Sequence, residues 1–345
     1  MDIQQLITST LNPARAHSAP LSTAIIRQQP EDFIVDEIPS ATADRSGEHV
    51  WLTIRKRSTN TEHVAQQLAK LAKVKPMAVS YAGMKDRHAV TTQCFSVHIP
   101  GMPEPDWLSI NSDLIEVIDV QRNSRKLRRG VLAGNAFQLR LREFNCDASE
   151  LETRLLLITE QGVPNYFGSQ RFGRGGNNLN MAASFFDGAI KLKRAQRSYA
   201  LSAARSMLFN RILEQRVLAK NWNLALSGDI CMRTGRHGFF SVEEGDAEIP
   251  LRIEAKEIHP SAPLWGKGDD ISQAEAQAIE RQALEGLSDW CTGLENKGLK
   301  MERRVLRVVP EDLEWHYDNA TLDLSFSLPS GCFATSVLRE ITEIS

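Results

Sequence analysis

Long hydrophobic runs are missing from this chain. None of its 345 residues sits in a stretch approaching the roughly 18 consecutive apolar positions of a membrane-spanning helix. The opening Met-Asp-Ile-Gln-Gln has neither the basic nor the apolar block of a secretory leader, so the expected location is cytoplasmic, with no membrane partner. Cysteine is sparse. Cys94, Cys146, Cys231, Cys291 and Cys332 are scattered and never form Cys-x-x-Cys, which argues against a disulfide framework or a zinc ribbon and for reduced thiols. Internal repeats and low-complexity tracts are also lacking.

A large excess of one charge is absent too, because the formal net charge is -2. Net charge conceals distribution. Basic residues crowd into 122–129, 191–197 and 300–307, and acidic ones into 243–248 and 269–285, so a polyanion is expected to meet one face and avoid another. With 42% hydrophobic residues the chain can bury the cores of one large or two medium domains.

The stretch with the most chemistry is Tyr81-Ala-Gly-Met-Lys-Asp-Arg-His88. Met77 to Ala82 before it is apolar and β-prone. After it, Phe95, Val97 and Ile99 alternate with Cys94, Ser96 and His98, the period of a half-buried strand. Asp86 therefore lies on a loop joining two strands. Its neighbours Lys85 and Arg87 are expected to keep it ionised, since a nearby opposite charge typically lowers a carboxylate pKa by about 1 to 3 units. An ionised carboxylate suits nucleophilic attack better than general-acid work. Taken alone, the Lys-Asp-Arg tripeptide also fits a solvated surface loop.

Residues 1–20, with Pro13 and Pro20, read as an irregular lead-in, and residues 27–38 as a turn feeding a strand, with Val50 to Ile54 as its partner. Thr59-Asn-Thr-Glu62 has the form of a capping box, opening a helix to about Lys73 with Val64, Leu68 and Leu71 on one face. Pro100, Pro103 and Pro105 mark a surface connection, and Leu114 to Val120 a strand. Arg122, Arg125, Lys126, Arg128 and Arg129 then place five cations in nine residues without an acid: a solvated loop or an RNA phosphate clamp. Gly134 to Arg142 alternates as a strand, and Asp147 to about Gln161 is helical.

Gly162 to Gly176 changes texture, with five glycines, three aromatics and the arginines Arg171 and Arg174 in fifteen positions. Such a backbone can approach a ligand closely, with stacking and phosphate-binding groups on it. It matches neither a dinucleotide nor a Walker fingerprint. Ser198 to Leu218 reads as a long amphipathic helix and Gln273 to Ser288 as an acidic one; Met301 to Val309 and Thr321 to Leu328 read as strands returning to the first domain.

Several of these segments resemble the TruD family of tRNA pseudouridine synthases. The resemblance is carried by Gly83-Met-Lys-Asp-Arg-His-Ala-Val-Thr91, by Pro30, Asp32, Phe33, Val35 and Glu37 of a Pro-x-Asp-Phe-x-Val-x-Glu pattern, and by Gly134-Asn-Ala-Phe137. Val163-Pro-Asn-Tyr-Phe-Gly-Ser-Gln-Arg-Phe-Gly173, the Ser-Ala-Ala-Arg-Ser-x-Leu-Phe-Asn run ending at Asn210, and Leu328-Pro-Ser-Gly-Cys-Phe-Ala-Thr-Ser-Val-Leu-Arg-Glu340 complete it. The matches span residues 30–341 in the family's order.

The resemblance implies an α+β fold: a pseudouridine-synthase-like catalytic domain with a mostly antiparallel central sheet, formed by residues 1–160 and 308–345, and an inserted α+β TRUD domain, residues 161–307. It implies isomerisation of a tRNA uridine, at position 13 of the D arm, by a monomeric enzyme with tRNA as its partner. The chemistry is redox-neutral and calls for no cofactor and no metal. Asp86 becomes the nucleophile, attacking either the sugar C1′ or the uracil ring. Phe33, Asn135, Phe137, Phe333 and Lys85 fall at substrate-binding positions. Arg27, where the family tends to have a lysine or arginine, is the candidate basic partner of Asp86 and is grouped with them, and Arg171 joins the basic segment as an RNA contact. Without the resemblance, Phe33 reads as an inward strand residue, Asn135 as a turn residue and Phe333 as a core aromatic. Two other classes use some of the same residues: a non-enzymatic RNA-binding protein, and a metal-dependent phosphoesterase or nuclease recruiting Asp32 or Glu37 beside Asp86.

Overall fold

The structure, a computed structural model, describes residues 2–128, 132–235, 238–243 and 245–344. The chain divides into two compact units. One comprises residues 21–151, 310–331 and 342–345, and the other residues 1–20, 152–309 and 332–341. Residues 1–160 contribute to both.

The first unit is built on a twisted sheet. Its strands are β1 (Ser22–Ala24), β2 (Phe33–Ile38), β3 (His49–Arg57), β4 (Val79–Tyr81), β5 (Val90–His98), β6 (Ile115–Asn123) and β7 (Gly134–Leu141), followed by Glu311–Asp318 and Thr321–Pro329. The eight-stranded sheet runs Glu311–Asp318, Thr321–Pro329, β7, β2, β5, β3, β6, with β4 pairing β5. Only the β2–β5 pair in it is parallel. β1 pairs separately, in parallel, with Thr342–Ile344. A Cβ on Gly134 would collide with the Leu328 carbonyl, so glycine permits close approach of the backbones just before Asn135.

Period-two alternation sets the faces. Val50, Leu52 and Ile54 of β3 are fully buried and meet Phe95 and Val97 of β5 with Val64 and Leu68 of the helix Thr61–Leu71. That helix is N-capped by Asn60 without a side-chain hydrogen bond, so the expected Thr59 capping box does not form. Its end is marked by Lys73 in the left-handed region, φ 55°.

The second unit packs around the 25-residue helix Arg194–Leu218, whose Ala203, Ala204, Met207, Leu208 and Ile212 are buried. A four-stranded antiparallel sheet runs Phe239–Ser241, Ile230–Arg233, Ile258–Leu264, Glu302–Val305. Glu302–Val305 thus stays in this unit; Thr321–Pro329 is the strand that pairs with β7. Two helices, Ala274–Ala283 and Ser288–Asn296, replace the single one expected over 273–288. Residues 1–20 are not an irregular lead-in throughout. Ile3–Leu11 is a helix capped by Asp2, and its Leu6 and Ile7 enter the core. Gly176, φ 76°, lies against Ile7 so closely that a Cβ would clash. No helix among the described residues is long and apolar enough to cross a membrane.

Candidate active site

The Asp86 loop leaves β4 and enters β5, two antiparallel neighbours. Three side chains hold it from beneath. Thr61, first residue of its helix, donates to Gln93 Oε1 (2.9 Å) and accepts from the Lys85 amide (3.1 Å). Gln93 donates to the Gly83 carbonyl (3.2 Å), and Lys56 Nζ to the Asp86 carbonyl (2.7 Å). The backbone is anchored on both sides of the carboxylate.

The carboxylate itself is 39% exposed and meets Arg27, whose Nη2 donates to Oδ2 at 2.7 Å. Arg27 sits in the left-handed region, φ 59°, sparsely populated by residues other than glycine. Its guanidinium carbon lies 4.0 Å above the centre of the Phe33 ring, a cation–π contact that fixes its direction. Phe33 in turn meets Phe137 edge-on at 6.4 Å, and Phe137 lies 5.5 Å from Phe326. Phe33 and Phe137 are nearly fully buried here, so the inward strand reading of Phe33 is correct as geometry.

Lys85 turns elsewhere. Its Nζ donates to Asn135 Oδ1 and stands 3.1 Å from Glu37 Oε1, with both members of that ion pair almost wholly buried. Glu37 Oε2 accepts from the Cys94 amide at 2.9 Å, where β2 and β5 have parted. Burial pushes the Glu37 carboxyl above its usual pKa, against the pull of Lys85 and the Cys94 amide. Burial also lowers Lys56 to about 8, with Lys85 adding to the effect and Asp86 opposing it. The expected flanking of Asp86 by Lys85 and Arg87 is therefore replaced: Arg27 makes the ion pair, Lys85 serves Glu37 and Asn135, and Arg87 is exposed.

Arg27, Phe33, Lys85, Asp86, Asn135 and Phe137 thus converge within the first unit. In the basic segment Arg122 is the last residue but one of β6 and pairs with Glu104 at 2.7 Å, an acid that lies well before that segment in the chain. Arg125, Lys126 and Arg128 are exposed, and the Arg125 carbonyl accepts from Trp51 Nε1 and Asn123 Nδ2. Arg129 lies outside the described residues.

Phe333 and Arg171 belong to the other unit. Phe333 precedes the short helix Ala334–Leu338 and lies 6.1 Å from Phe167. Arg171 points its guanidinium toward Phe167 (5.3 Å) and Phe333 (5.8 Å) and donates to Ser202 Oγ. Arg304, which no motif in the sequence singles out, stacks 4.2 Å from the Phe167 centroid, and burial lowers its pKa to about 10. Thr61 and Lys56 are likewise invisible to motif reading. The only signal for Lys56 is its period-two spacing from Ile54, which places a lysine on an inward face.

An aspartate on a braced loop, held by an arginine that lies over an aromatic ring in an α+β fold, coincides with a known family. The sequence profile described as tRNA pseudouridine synthase D (TruD) matches residues 15–181 and 177–341. The tRNA pseudouridine synthase D of Methylococcus capsulatus is 49% identical over 331 residues, covering 95% of this chain and 94% of that protein. That of Nitrosococcus oceani is 47% identical over 327 residues, covering 93% and 91%. The chain belongs to the TruD family of tRNA pseudouridine synthases. The fold agrees: a crystal structure of the putative tRNA pseudouridine synthase D (TruD) from Methanosarcina mazei aligns with a TM-score of 0.75 at 22% identity, over 99% of this chain and 98% of that one.

Proposed function

We propose that this protein isomerises a uridine of tRNA to pseudouridine, with Asp86 as nucleophile and position 13 of the D arm as the site. The observation that carries the reading is the Asp86 carboxylate, held by one N–H of Arg27 beside the Phe33 and Phe137 rings. One carboxylate oxygen remains for attack on C1′ or on the uracil ring. In either course the N1–C1′ bond breaks, the uracil turns, C5 bonds to C1′, the C5 proton leaves and N1 gains one. Atoms and charge balance without a co-reactant.

The target base must first leave its stack, which costs a few kcal/mol. Stacking on an aromatic side chain is worth about 1 to 3 kcal/mol per base, so a contact with Phe33, Phe137 or Phe333 offsets much of that cost. Phe137 carries no hydroxyl and cannot relay the C5 proton. Asn135, oriented by Lys85, offers an amide to a uracil edge. Arg122, Arg125, Lys126, Arg128, Arg129 and Arg171 are the proposed phosphate contacts, and residues 161–307 are proposed as an insertion between the two catalytic segments. Asp32 is engaged by Arg142 and Glu37 by Lys85, so the geometry favours this reading over a metal-dependent phosphoesterase built on those carboxylates.

Asp86→Asn keeps size and removes the anion. In single-turnover assays with enzyme in excess over tRNA, pseudouridine formation is expected to fall below detection while tRNA affinity stays close to wild type. Asp86→Glu moves the charge by a methylene, and a misplacement of about 1 Å can cost about a hundredfold in rate. Near wild-type turnover in the Asn variant would overturn Asp86 as nucleophile. Loss of pseudouridine at position 13, and only there, in tRNA from cells lacking the gene checks the site.

A further inference from the structure

Lys56 stands out as a cation in a place made for an apolar side chain. On β3 it follows Val50, Leu52 and Ile54 on the inward face, and it is fully buried. Its cross-strand neighbours are Thr91 of β5 and Ile115 of β6. A methionine would fill a similar volume there without desolvating an ammonium group, so packing alone does not select lysine. Among the described residues its hydrogen bond goes to one acceptor, the carbonyl oxygen of Asp86, at 2.7 Å.

The two cations on Asp86 therefore differ in kind. Arg27 grips the carboxylate from a partly open position, beside the ring proposed to meet the base. A substrate can compete with that grip. Lys56 grips the backbone from inside the core, where no substrate reaches, and places its positive charge beneath the residue that carries the negative one. We propose that Lys56 is a positioning residue for the isomerisation, holding the Asp86 backbone in place when the Arg27 contact is exchanged for substrate. The inference rests on the reading of Asp86 as nucleophile, and it assigns to Lys56 no contact with the reacting atoms.

The test uses the full chain carrying Lys56→Met, with three readouts: single-turnover rate of pseudouridine formation, tRNA dissociation constant, and amide hydrogen exchange across the first unit. A positioning role predicts a rate loss of about a hundredfold, unchanged tRNA affinity, and faster exchange confined to residues 82–89. A wild-type rate in Lys56→Met overturns the inference. So does a rate loss accompanied by weaker tRNA binding or by faster exchange throughout the unit, because Lys56 then serves the fold rather than the loop. The wild-type control separates this from the reading beneath it. If the wild-type chain makes no pseudouridine, the proposed reaction fails and the inference with it. If the wild type turns over and Lys56→Met is unaffected, only the inference fails.

Discussion

Burying the Lys56 ammonium gives the protein's stability a pH dependence of definite sign. In the unfolded chain this lysine keeps its proton to about the ordinary value of 10.5, whereas in the fold burial lowers the pKa to about 8. Lys85 lowers it further and the Asp86 charge opposes the shift. Between those values the unfolded state binds more protons, so this residue's contribution to stability rises with pH. Below pH 8 both states hold the proton and the penalty is complete. Thermal unfolding of wild type and Lys56→Met from pH 7 to 10.5 is therefore expected to show the variant's relative advantage in Tm shrinking as pH rises through 8. A difference in Tm that stays constant over that range would count against a buried, strained ammonium.

At the scale of elements, the site depends on what the helix Thr61–Leu71 does with its first residue. The Thr61 hydroxyl links Gln93 of β5 to the Lys85 amide, so one helix terminus fixes both the strand and the loop. This is also where the expected capping box fails, because the helix begins at Thr61 with Asn60 at the cap position, which leaves Thr59 outside the cap. Thr61→Val keeps the shape and deletes both hydrogen bonds. Leaving buried polar groups unsatisfied costs about 1–3 kcal/mol, and urea unfolding is expected to show a destabilisation of that size. The same variant is expected to slow pseudouridine formation through the loop while Val64 and Leu68 keep the helix packed.

Across the whole molecule, the first unit is completed by chain from far along the sequence. Thr321–Pro329 pairs with β7 over eight positions, and Phe326 lies opposite Phe137. A fragment of residues 21–151 lacks that strand and its neighbour Glu311–Asp318. It leaves β7 as a bare edge and is expected not to unfold cooperatively, because a core divided between chain segments is not closed by one of them. A sharp urea transition in the fragment would contradict this. The proposed tRNA binding is expected to depend on where cations gather, since the net charge is slightly negative. Neutralising Arg125, Lys126 and Arg128 is expected to flatten the salt dependence of tRNA binding by about 0.7 to 0.9 log units of slope for each phosphate left without its cation. Arg122, already paired with Glu104, is expected to contribute less.

The sequence by itself determined the loop between two strands, the helix beneath it with Val64 and Leu68 inward, the inward Phe33, the strand that carries Phe137, and the family. These are local patterns, or consecutive motifs, and periodicity reports them directly. Which charge meets which is a different kind of fact. Adjacent Lys85 and Arg87 are the partners for Asp86 that proximity along the chain suggests, yet the ion pair is made by Arg27, 59 residues earlier, to which only the family resemblance pointed. Lys85 is drawn to Glu37, and Lys56 closes on a backbone carbonyl 30 residues away. Those choices are set by strand register and by the path of a loop, which bring distant side chains within hydrogen-bonding reach and part adjacent ones, since side chains next to each other on an extended backbone point to opposite faces. The helix Ile3–Leu11 was illegible for a related reason: its Leu6 and Ile7 acquire a buried face only against the core that later segments build.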